Sequence, residues 1–335
     1  MDKLARQIAD FIENSTGGEE EFERLALALF ARQYALSAPY RRLCSGQTVS
    51  PETVSRWQDI PAVPAQAFKV FDLSCVPTRE TAAVFHSSGT TGAQTSKHYF
   101  DADALALYET SLRAGFEAAL PARSSKLWAL MPEPPAAPNS SLSHMLGTLN
   151  AERFFWDNDA ALSAALLDLT EPVTLFGTAF AFVQLFDGTE QRWRLPTGSA
   201  VIETGGFKGR TREVPRDALY GLFGSRLGVP LDQCYSEYGM SEMASQFYGQ
   251  GLDPVKRGPR WVHTRTIDPA TGEDTPAGTP GLLRHYDLAN FNSVLALQTQ
   301  DLGIKTPGGF VLQGRAADAE VRGCSLAVEE LWARQ

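Results

Sequence analysis

The stretch FHSSGTTGAQTSKHYF, residues 85–100, concentrates glycines, hydroxyl side chains and a lysine in one short segment. Glycines let a loop turn its backbone amides inward, and the hydroxyls and the ammonium group add further donors. A polyphosphate is the anion that this set of donors suits. The spacing differs from that of a P-loop NTPase, because only two residues separate Gly89 from Gly92 and Lys97 lies five beyond Gly92. A surface turn is the alternative for the loop taken alone.

Composition and charge narrow the class of protein. The chain has 335 residues, of which 43% are hydrophobic and 21% charged, so it can bury a sizeable core in one or two domains. A formal charge of −9 argues against a nucleic-acid-binding protein, which needs clustered Lys and Arg. The N-terminus lacks the apolar centre of a signal peptide, and the longest apolar run, residues 174–186, is too short to span a bilayer. We therefore expect a soluble, cytoplasmic protein.

The pattern of apolar residues predicts alternating helices and strands. Residues 1 to about 45 have helical spacing, with the acidic EEEF at the start of the second helix. TAAVF, residues 81–85, predicts a buried strand before the Gly-rich loop, and a helix with Asp101 as its N-cap is expected beyond the loop. The loop is thus expected to lead from a strand to a helix. Further strand-then-loop units, such as SAVIETGG and VPLDQCYSEYGMSE, predict an α/β fold of packed sheets and helices.

Four motifs occur in an order that resembles one superfamily. SSGTTG followed by Lys, YSEYGMSE, LQTQDLG and GFVLQGRAADAE are similar to successive motifs of the adenylate-forming enzymes, which include acyl-CoA ligases, luciferases and adenylation domains. The phrases PAVPAQAFK, IETGGFKGRTREV and RGCSLAVEEL extend the resemblance to the LuxE-like acyl-protein synthetases over nearly the whole chain. The resemblance implies the superfamily's N-terminal-domain fold, with a helical lobe over 1–80, a core over 81–313 and a short C-terminal segment over 314–335.

The resemblance implies an enzyme that activates a carboxylic acid with ATP and Mg²⁺. Attack of the carboxylate on the α-phosphate gives an acyl-adenylate and pyrophosphate, and donors and a metal ion stabilise the charge that develops on the phosphate oxygens. Glu242 would bind Mg²⁺, because a hard cation that bridges phosphates takes one or two carboxylates. The residues that would hold the leaving phosphates are Ser87, Ser88, Gly89, Thr90, Thr91, Gly92 and Lys97.

Five further residues match nucleotide contacts of the superfamily. Ser241 would contact the α-phosphate, and Tyr238 with Gly239 would lie near the adenine. Asp301 would accept hydrogen bonds from the ribose hydroxyls. Arg315 would approach the ribose or the phosphate.

Residues 204–206 and His144 each have a structural interpretation as well as a binding one. Thr204, Gly205 and Gly206 would form the wall against which the purine lies, where a simple turn is the competing interpretation. His144, in SSLSHML, matches a position close to the bound carboxylate, where a structural histidine is the alternative.

Cys324, in VRGCSL, is the candidate nucleophile for a second half-reaction. A thiol with a reference pKa of roughly 8.5 reacts as the thiolate, which a nearby cation or a helix N-terminus favours. The resemblance implies that Cys324 takes the acyl group as a thioester and passes it to a reductase partner. The alternative is a small buried cysteine, as we expect for Cys44, Cys75 and Cys234. No CxxC pair indicates a zinc site or a disulfide framework.

The end of the chain leaves the acyl acceptor open. Twenty residues follow Arg315 and none is a lysine, so we expect no large rotating C-terminal domain. One alternative enzyme passes the acyl group directly to an external thiol, on a carrier protein or CoA. Another class is a non-catalytic subunit that binds nucleotide or acyl chains, against which Lys97, Glu242 and Asp301 argue. The expected partners are a carboxylic acid, fatty or related, and an acyl reductase or carrier protein, with no nucleic acid and no membrane span.

Overall fold

The chain folds into helices and strands that cluster into two compact units. The computed structural model describes residues 1–14, 17–87, 94–121, 124, 126–205 and 214–316. Unit 1 comprises Met1–Gly115, Met240–Ser245 and Arg257–Gln335, and unit 2 comprises Phe116–Gly239 and Gln246–Lys256. Both units mix sheets with helices, so the predicted α/β class is confirmed. The predicted domain boundaries at residues 80 and 313 stay predictions.

The described helices are, in chain order, α1 (Lys3–Glu13), α2 (Glu19–Leu36), α3 (Ala38–Gly46), α4 (Ala102–Ala119), α5 (Ser141–Thr148), α6 (Asp159–Leu167), α7 (Ala179–Asp187) and α8 (Arg216–Leu222). The described strands are β1 (Val63–Pro64), β2 (Ala83–His86), β3 (Lys97–Phe100), β4 (Leu127–Leu130), β5 (Arg153–Phe154), β6 (Thr174–Thr178), β7 (Ala200–Thr204), β8 (Cys234–Tyr238), β9 (Phe247–Gln250), β10 (Val255–Lys256), β11 (Val262–Ile267), β12 (Gly281–Asp287), β13 (Ala296–Thr306) and β14 (Gly309–Arg315). None of the helices within these described ranges has the length and apolar character needed to cross a membrane.

Local sequence signals explain where the helices begin. The Asp2 carboxylate accepts a hydrogen bond from the Leu4 amide at 2.7 Å and caps α1. The Asp101 carboxylate accepts from the Ala104 amide at 2.8 Å at the start of α4, which confirms the predicted N-cap. Helix α2 carries Glu19–Glu21 in its first turn, where negative charge offsets the helix dipole.

Unit 1 is built around an antiparallel sheet in which β11, β12, β13 and β14 are successive neighbours. Strand β1 joins β13 in parallel, with Val63 opposite Leu297. Helix α2 is tied to the connection between β12 and β13 by the buried Gln33 side chain, which donates to the Asn290 carbonyl and accepts from the Leu295 amide, both at 2.7 Å.

The Gly-rich loop of unit 1 connects two strands, so the expectation that it leads from a strand to a helix was wrong. Strands β2 and β3 pair antiparallel, with His86 opposite Lys97 and Phe85 opposite His98. The sequence KHYF forms a strand because its aromatic residues pack against β2, as Phe100 does with Phe85 at 5.2 Å between ring centroids. Helix α4 begins only after β3.

Unit 2 is a mainly parallel sheet in the order β5-β4-β6-β7-β8-β9, in which only β9 runs antiparallel to its neighbour. The apolar run over residues 174–186 forms β6 and α7, and its side chains Phe176 and Phe182 are buried in the core. Because parallel strands end at a common edge, the residues after β7 and β8 lie at the edge where α/β sheets bind ligands.

Candidate functional site

The hairpin of unit 1 closes just before the Gly-rich loop. The Ser87 amide donates to the Ser96 carbonyl at 3.2 Å, and the Ser87 hydroxyl accepts from the Ser96 amide at 2.9 Å. Lys97 opens β3 with an exposed side chain, as a phosphate ligand requires. The loop residues Ser88, Gly89, Thr90, Thr91 and Gly92 lie outside the described residues, so their phosphate contacts stay predictions.

The same hairpin holds the Ser241–Glu242 pair. The Ser241 hydroxyl donates to the His86 carbonyl on β2 at 3.2 Å, and the Ser241 carbonyl lies 2.9 Å from Nδ1 of His98 on β3. The Asn290 side-chain amide donates to the Glu242 carbonyl at 3.1 Å. The structure therefore brings together two motifs that are about 150 residues apart in sequence, the strands that flank the Gly-rich loop and the Met-Ser-Glu segment.

Glu242 is a buried carboxylate, with 5% of its surface exposed. Burial raises its pKa, while the nearby Ser96 hydroxyl and the positive charges of Lys69 and Arg315 act in the opposite direction. The Ser96 hydroxyl makes no hydrogen bond of good geometry within the described part of the chain. A buried anion that its neighbours compensate only in part is a suitable ligand for a hard cation.

Asp301 and Arg315 lie opposite each other on β13 and β14. The Arg315 Nε atom is 3.5 Å from the Asp301 carboxylate, and the arginine side chain is 70% exposed. The Asp301 amide donates to the Thr299 hydroxyl at 3.1 Å, which explains the local role of the Thr in the Thr-x-Asp motif. The structure thus places together two residues that the sequence assigned to the same ribose.

In unit 2, the predicted purine wall lies at the end of β7. The Thr204 hydroxyl donates to the Glu237 carboxylate on β8, and Gly205 has a φ of +67°, a conformation that favours glycine. Gly239 is equally constrained, because a Cβ there would lie 2.5 Å from a carboxylate oxygen of Glu237. Gly206 lies outside the described residues, and the adenine contacts of Thr204, Gly205, Tyr238 and Gly239 stay predictions.

A buried charge network surrounds Glu237, and sequence reasoning missed it. Glu203, Glu237 and Lys256 each have less than a tenth of their surface exposed. The Ser236 hydroxyl accepts hydrogen bonds from both Lys256 and Arg216. The available signal was a carboxylate inside each of two apolar strands, SAVIET and CYSEY, since a buried charge needs a partner.

Burial and the neighbouring charges shift the pKa values of the residues in this network. Burial raises the pKa of Glu237 to about 7, and the Thr204 hydroxyl and the Lys256 charge act against that shift. Burial lowers the pKa of Lys256 to about 8, opposed by the charges of Glu203 and Glu237. Burial also raises the pKa of Glu203, which accepts a hydrogen bond from Tyr220 at 3.4 Å.

His144 lies on α5, half-buried between the buried residues Ser143 and Met145. The Ser140 hydroxyl caps this helix by accepting from the Ser143 amide at 3.1 Å. A contact between His144 and the substrate carboxylate stays a prediction.

The three described cysteines are buried free thiols, as expected for structural residues. Burial raises the pKa of Cys44 to about 12, of Cys75 to about 11 and of Cys234 to about 12, so each is a thiol rather than a thiolate at neutral pH. Cys324 lies outside the described residues, and its role stays a prediction.

Comparison with protein-family models gives one match, to "Acyl-protein synthetase, LuxE", over residues 8–107 and 157–333. The matched ranges cover most of the chain and contain each of the motifs discussed above except the His144 segment. A comparison with curated proteins found no match.

Solved structures confirm the fold. A 2-hydroxyisobutyryl-CoA ligase in the postadenylation state with 2-HIB-AMP matches with a TM-score of 0.67 and 17% identity, over 90% of this chain and 69% of that chain. An open conformation of this ligase with 2-HIB-AMP and CoA matches with a TM-score of 0.66 and 18% identity, over 89% and 71%. ATP-bound MatB from Rhodopseudomonas palustris matches with a TM-score of 0.52 and 16% identity, over 72% and 49%. The chain therefore has the fold of adenylate-forming ligases.

Proposed function

This chain belongs to the acyl-protein synthetase family, LuxE, and is an enzyme of the adenylate-forming ligase class; we propose that it activates a carboxylic acid with ATP and then carries the acyl group on Cys324. The observation that carries the first half of this proposal is the joining, within unit 1, of the hairpin that bears Ser87 and Lys97 to the Ser241–Glu242 pair. Phosphate donors and a buried carboxylate are thereby held by one set of hydrogen bonds.

In the first step, an oxygen of the substrate carboxylate bonds to the α-phosphorus of ATP. The bond between the α-phosphorus and its bridging oxygen breaks, and pyrophosphate leaves. Lys97 balances the negative charge on the leaving phosphates, and the Ser and Thr hydroxyls of residues 87–91 donate hydrogen bonds to them. Ser241 donates to the α-phosphate. ATP use is supported by MatB of the same fold, which binds ATP in its solved structure.

The residues of unit 1 fit a magnesium ion. Glu242 supplies a carboxylate, and Mg²⁺ in phosphate-transfer sites usually takes one or two protein carboxylates and keeps several waters. When bound, the ion would neutralise charge on the phosphate oxygens. Among the described residues no group of three or more His, Cys, Asp or Glu side chains is placed to hold a metal, so Glu242 would act with phosphate and water oxygens rather than in a protein cage.

In the second step, the Cys324 thiolate attacks the acyl carbonyl carbon, a carbon–sulfur bond forms, and the bond to the AMP oxygen breaks so that AMP leaves. The thiol proton has been lost to solvent before the attack. Two observations support Cys324: the family match extends over it, and burial keeps the other three cysteines protonated. The family description, an acyl-protein synthetase, supports a protein as the acyl acceptor. A fatty or related acid as substrate and a reductase as the next partner complete the proposal.

Intact-protein mass spectrometry tests this function. Wild type, Cys324→Ser and the control Cys75→Ala are each incubated with Mg²⁺-ATP and a pool of acids from acetate to palmitate with aryl acids. A hydroxylamine-labile mass increment is expected in wild type and in Cys75→Ala but not in Cys324→Ser, and its size identifies the acid. Conversion of ATP to AMP without any increment would instead indicate direct transfer to an external thiol. Absence of pyrophosphate release with every acid would indicate a non-catalytic subunit.

A further inference from the structure

His98 is a buried polar residue that neither the motifs nor the proposed chemistry uses. It follows Lys97 directly on β3, so the two side chains point to opposite faces, with Lys97 exposed and His98 1% exposed. Its ring packs against Phe100, with 4.2 Å between centroids, and against Phe68 at 5.6 Å. Both ring nitrogens nevertheless have polar partners, Ser241 on one side and Ser293 on the other.

The partners fix the tautomer of this histidine. Nδ1 lies 2.9 Å from the Ser241 carbonyl, and a carbonyl can only accept, so Nδ1 carries the proton. Burial lowers the pKa of His98 to about 4, against the opposing effect of the Ser241 carbonyl, so the ring is neutral at pH 7. Nε2 is therefore an acceptor, and the Ser293 hydroxyl, 2.8 Å away, donates to it.

The hydrogen bond at Ser241 belongs to a set that fixes the whole Met240–Ser245 segment. Strand β2 contributes the His86 carbonyl, which accepts from the Ser241 hydroxyl at 3.2 Å. Farther along, the Asp287 carboxylate accepts from the Ala244 amide at 3.1 Å and from the Ser245 hydroxyl at 2.8 Å. His98 is the member of this set that joins the strand of Lys97 to the backbone immediately before Glu242.

We propose that His98 is a positioning residue of the adenylation site, whose Nδ1–H sets the place of the Ser241–Glu242 backbone relative to the strand that bears Lys97. In this role His98 touches no substrate. It acts by holding the Ser241–Glu242 backbone against the strand that bears Lys97. The proposal rests on the function proposed above. It requires a donor at the Nδ1 position, whereas an acceptor at the Nε2 position matters only to Ser293.

Three substitutions separate these requirements. The side-chain amide of His98→Asn places a donor near the Nδ1 position, that of His98→Gln places it near the Nε2 position, and His98→Leu supplies neither. His285→Asn is the matched control, because His285 is a fully buried neutral histidine of β12 that bonds to the Thr264 hydroxyl at 2.9 Å and belongs to no proposed site. Thermal melting identifies variants that are merely destabilised.

The first readout is acid-dependent pyrophosphate release. We expect His98→Gln and His98→Leu to lower kcat about 10- to 100-fold with the KM for the acid changed less than about threefold, the effect of a small displacement of reacting groups. His98→Asn and His285→Asn should stay within about threefold of wild type. The proposal is overturned if all four variants lose activity in proportion to the decrease in their melting temperatures. It is also overturned if His98→Gln retains more activity than His98→Asn.

The second readout does not depend on catalysis. The Met243 amide donates to the Met240 carbonyl within the segment, and the Ala244 amide donates to the Asp287 carboxylate on β12. Hydrogen exchange at these amides should be at least about tenfold faster in His98→Gln and His98→Leu than in wild type, and unchanged in His98→Asn. Unchanged exchange in all variants overturns the proposal. If wild type itself releases no pyrophosphate, the function proposed above fails and the exchange result alone decides whether His98 positions the segment.

Discussion

Glu237 and Glu242 belong to one sequence motif and are both buried, yet the two units compensate them by different means. The backbone around Glu242 is held by His98 and Asn290, side chains that are neutral at pH 7, and by the ionisable Asp287, which accepts from the Ala244 amide. Glu237 instead lies in a network whose two carboxylates are matched by two cations.

The comparison indicates different roles for the two glutamates. Neutral donors fix the backbone of Glu242, and the charges of Lys69 and Arg315 offset the effect of burial on its carboxyl only in part, since its pKa is raised. A bound cation would therefore stabilise the charged form of Glu242 further. The network around Glu237 supplies positive charge internally through Lys256 and Arg216. Glu242 should therefore matter to a bound cation, and Glu237 to the stability of unit 2.

The largest expected effect comes from removing the cation of the network. Lys256→Met should lower the free energy of unfolding by about 3 to 5 kcal/mol, because it leaves two buried carboxylates, Glu203 and Glu237, with only the Arg216 cation of this network. Chemical denaturation at pH 7.5, above the pKa of Glu237 at about 7 and below the pKa of Lys256 at about 8, measures the loss.

A double variant sharpens this prediction. Lys256→Met with Glu237→Gln should lose clearly less than Lys256→Met alone, since one of the two buried carboxylates, Glu237, no longer carries a charge. The loss in Lys256→Met should also shrink at pH 6, below the pKa of Glu237 at about 7, where that carboxyl is protonated. Equal losses in the single and double variants, at both pH values, would show that the network is not held by charge.

The next effect is on activity. Glu242→Gln should lower acid-dependent ATP–pyrophosphate exchange by about 100-fold or more, because it removes the carboxylate proposed for Mg²⁺. Its melting temperature should not fall, since a buried charge is removed. Glu237→Gln serves as the comparison and should lose less than about tenfold. A similar loss of exchange in both variants would remove the functional distinction between the two glutamates.

His285 of unit 1 and Glu237 of unit 2 should contribute to the pH dependence of stability with opposite signs. Burial lowers the pKa of His285 in unit 1 to about 3, so the unfolded chain takes up this proton first and the contribution of His285 to stability is lost as the pH falls below about 6.5. His285→Leu lacks this term, and its deficit relative to wild type should shrink by about 2 kcal/mol between pH 7.5 and pH 5.

Glu237 of unit 2 gives the opposite slope. Its folded pKa of about 7 lies above the ordinary value of 4.5, so the folded state binds the proton more tightly and stability falls as the pH rises through that window. Glu237→Gln should therefore gain relative to wild type from pH 5 to pH 8. Melting curves of the three proteins over this range check both slopes, and parallel curves would contradict them.

The smallest effect on stability is expected at the exposed Asp301–Arg315 pair. Arg315→Gln should change the free energy of unfolding by less than about 0.5 kcal/mol, as exposed ion pairs contribute little. Its KM for ATP should rise if Arg315 contacts the nucleotide. An unchanged KM would restrict Arg315 to its contact with Asp301.

Local pattern predicted much of the fold. The apolar SAVIE predicted β7, the carboxylate before an apolar helix predicted the Asp101 cap, and the run over 174–186 predicted buried core. The Ser241–Glu242 pair was identified from the resemblance of YSEYGMSE to a motif of the adenylate-forming enzymes, and its role stays a prediction.

Contacts that depend on strand register could not be predicted. The hairpin of β2 and β3 is decided by packing between Phe85 and Phe100, which a Gly-rich loop followed by a helical pattern does not reveal. The network around Glu237 and the bond from His98 to Ser241 join positions that are distant in sequence. From the sequence alone, a histidine or glutamate is expected at the surface, because its buried partner is not known.

The most direct test of the account is exchange of labelled pyrophosphate into ATP, with the acid identified by mass spectrometry, in wild type, Cys324→Ser, Lys97→Ala and Glu242→Gln. The account assigns Lys97 and Glu242 to adenylation and reserves Cys324 for the later transfer. Wild type and Cys324→Ser should therefore exchange at rates within about threefold of each other, while Lys97→Ala and Glu242→Gln lose about 100-fold. Loss of exchange in Cys324→Ser, or its retention in Lys97→Ala and Glu242→Gln, would contradict the account.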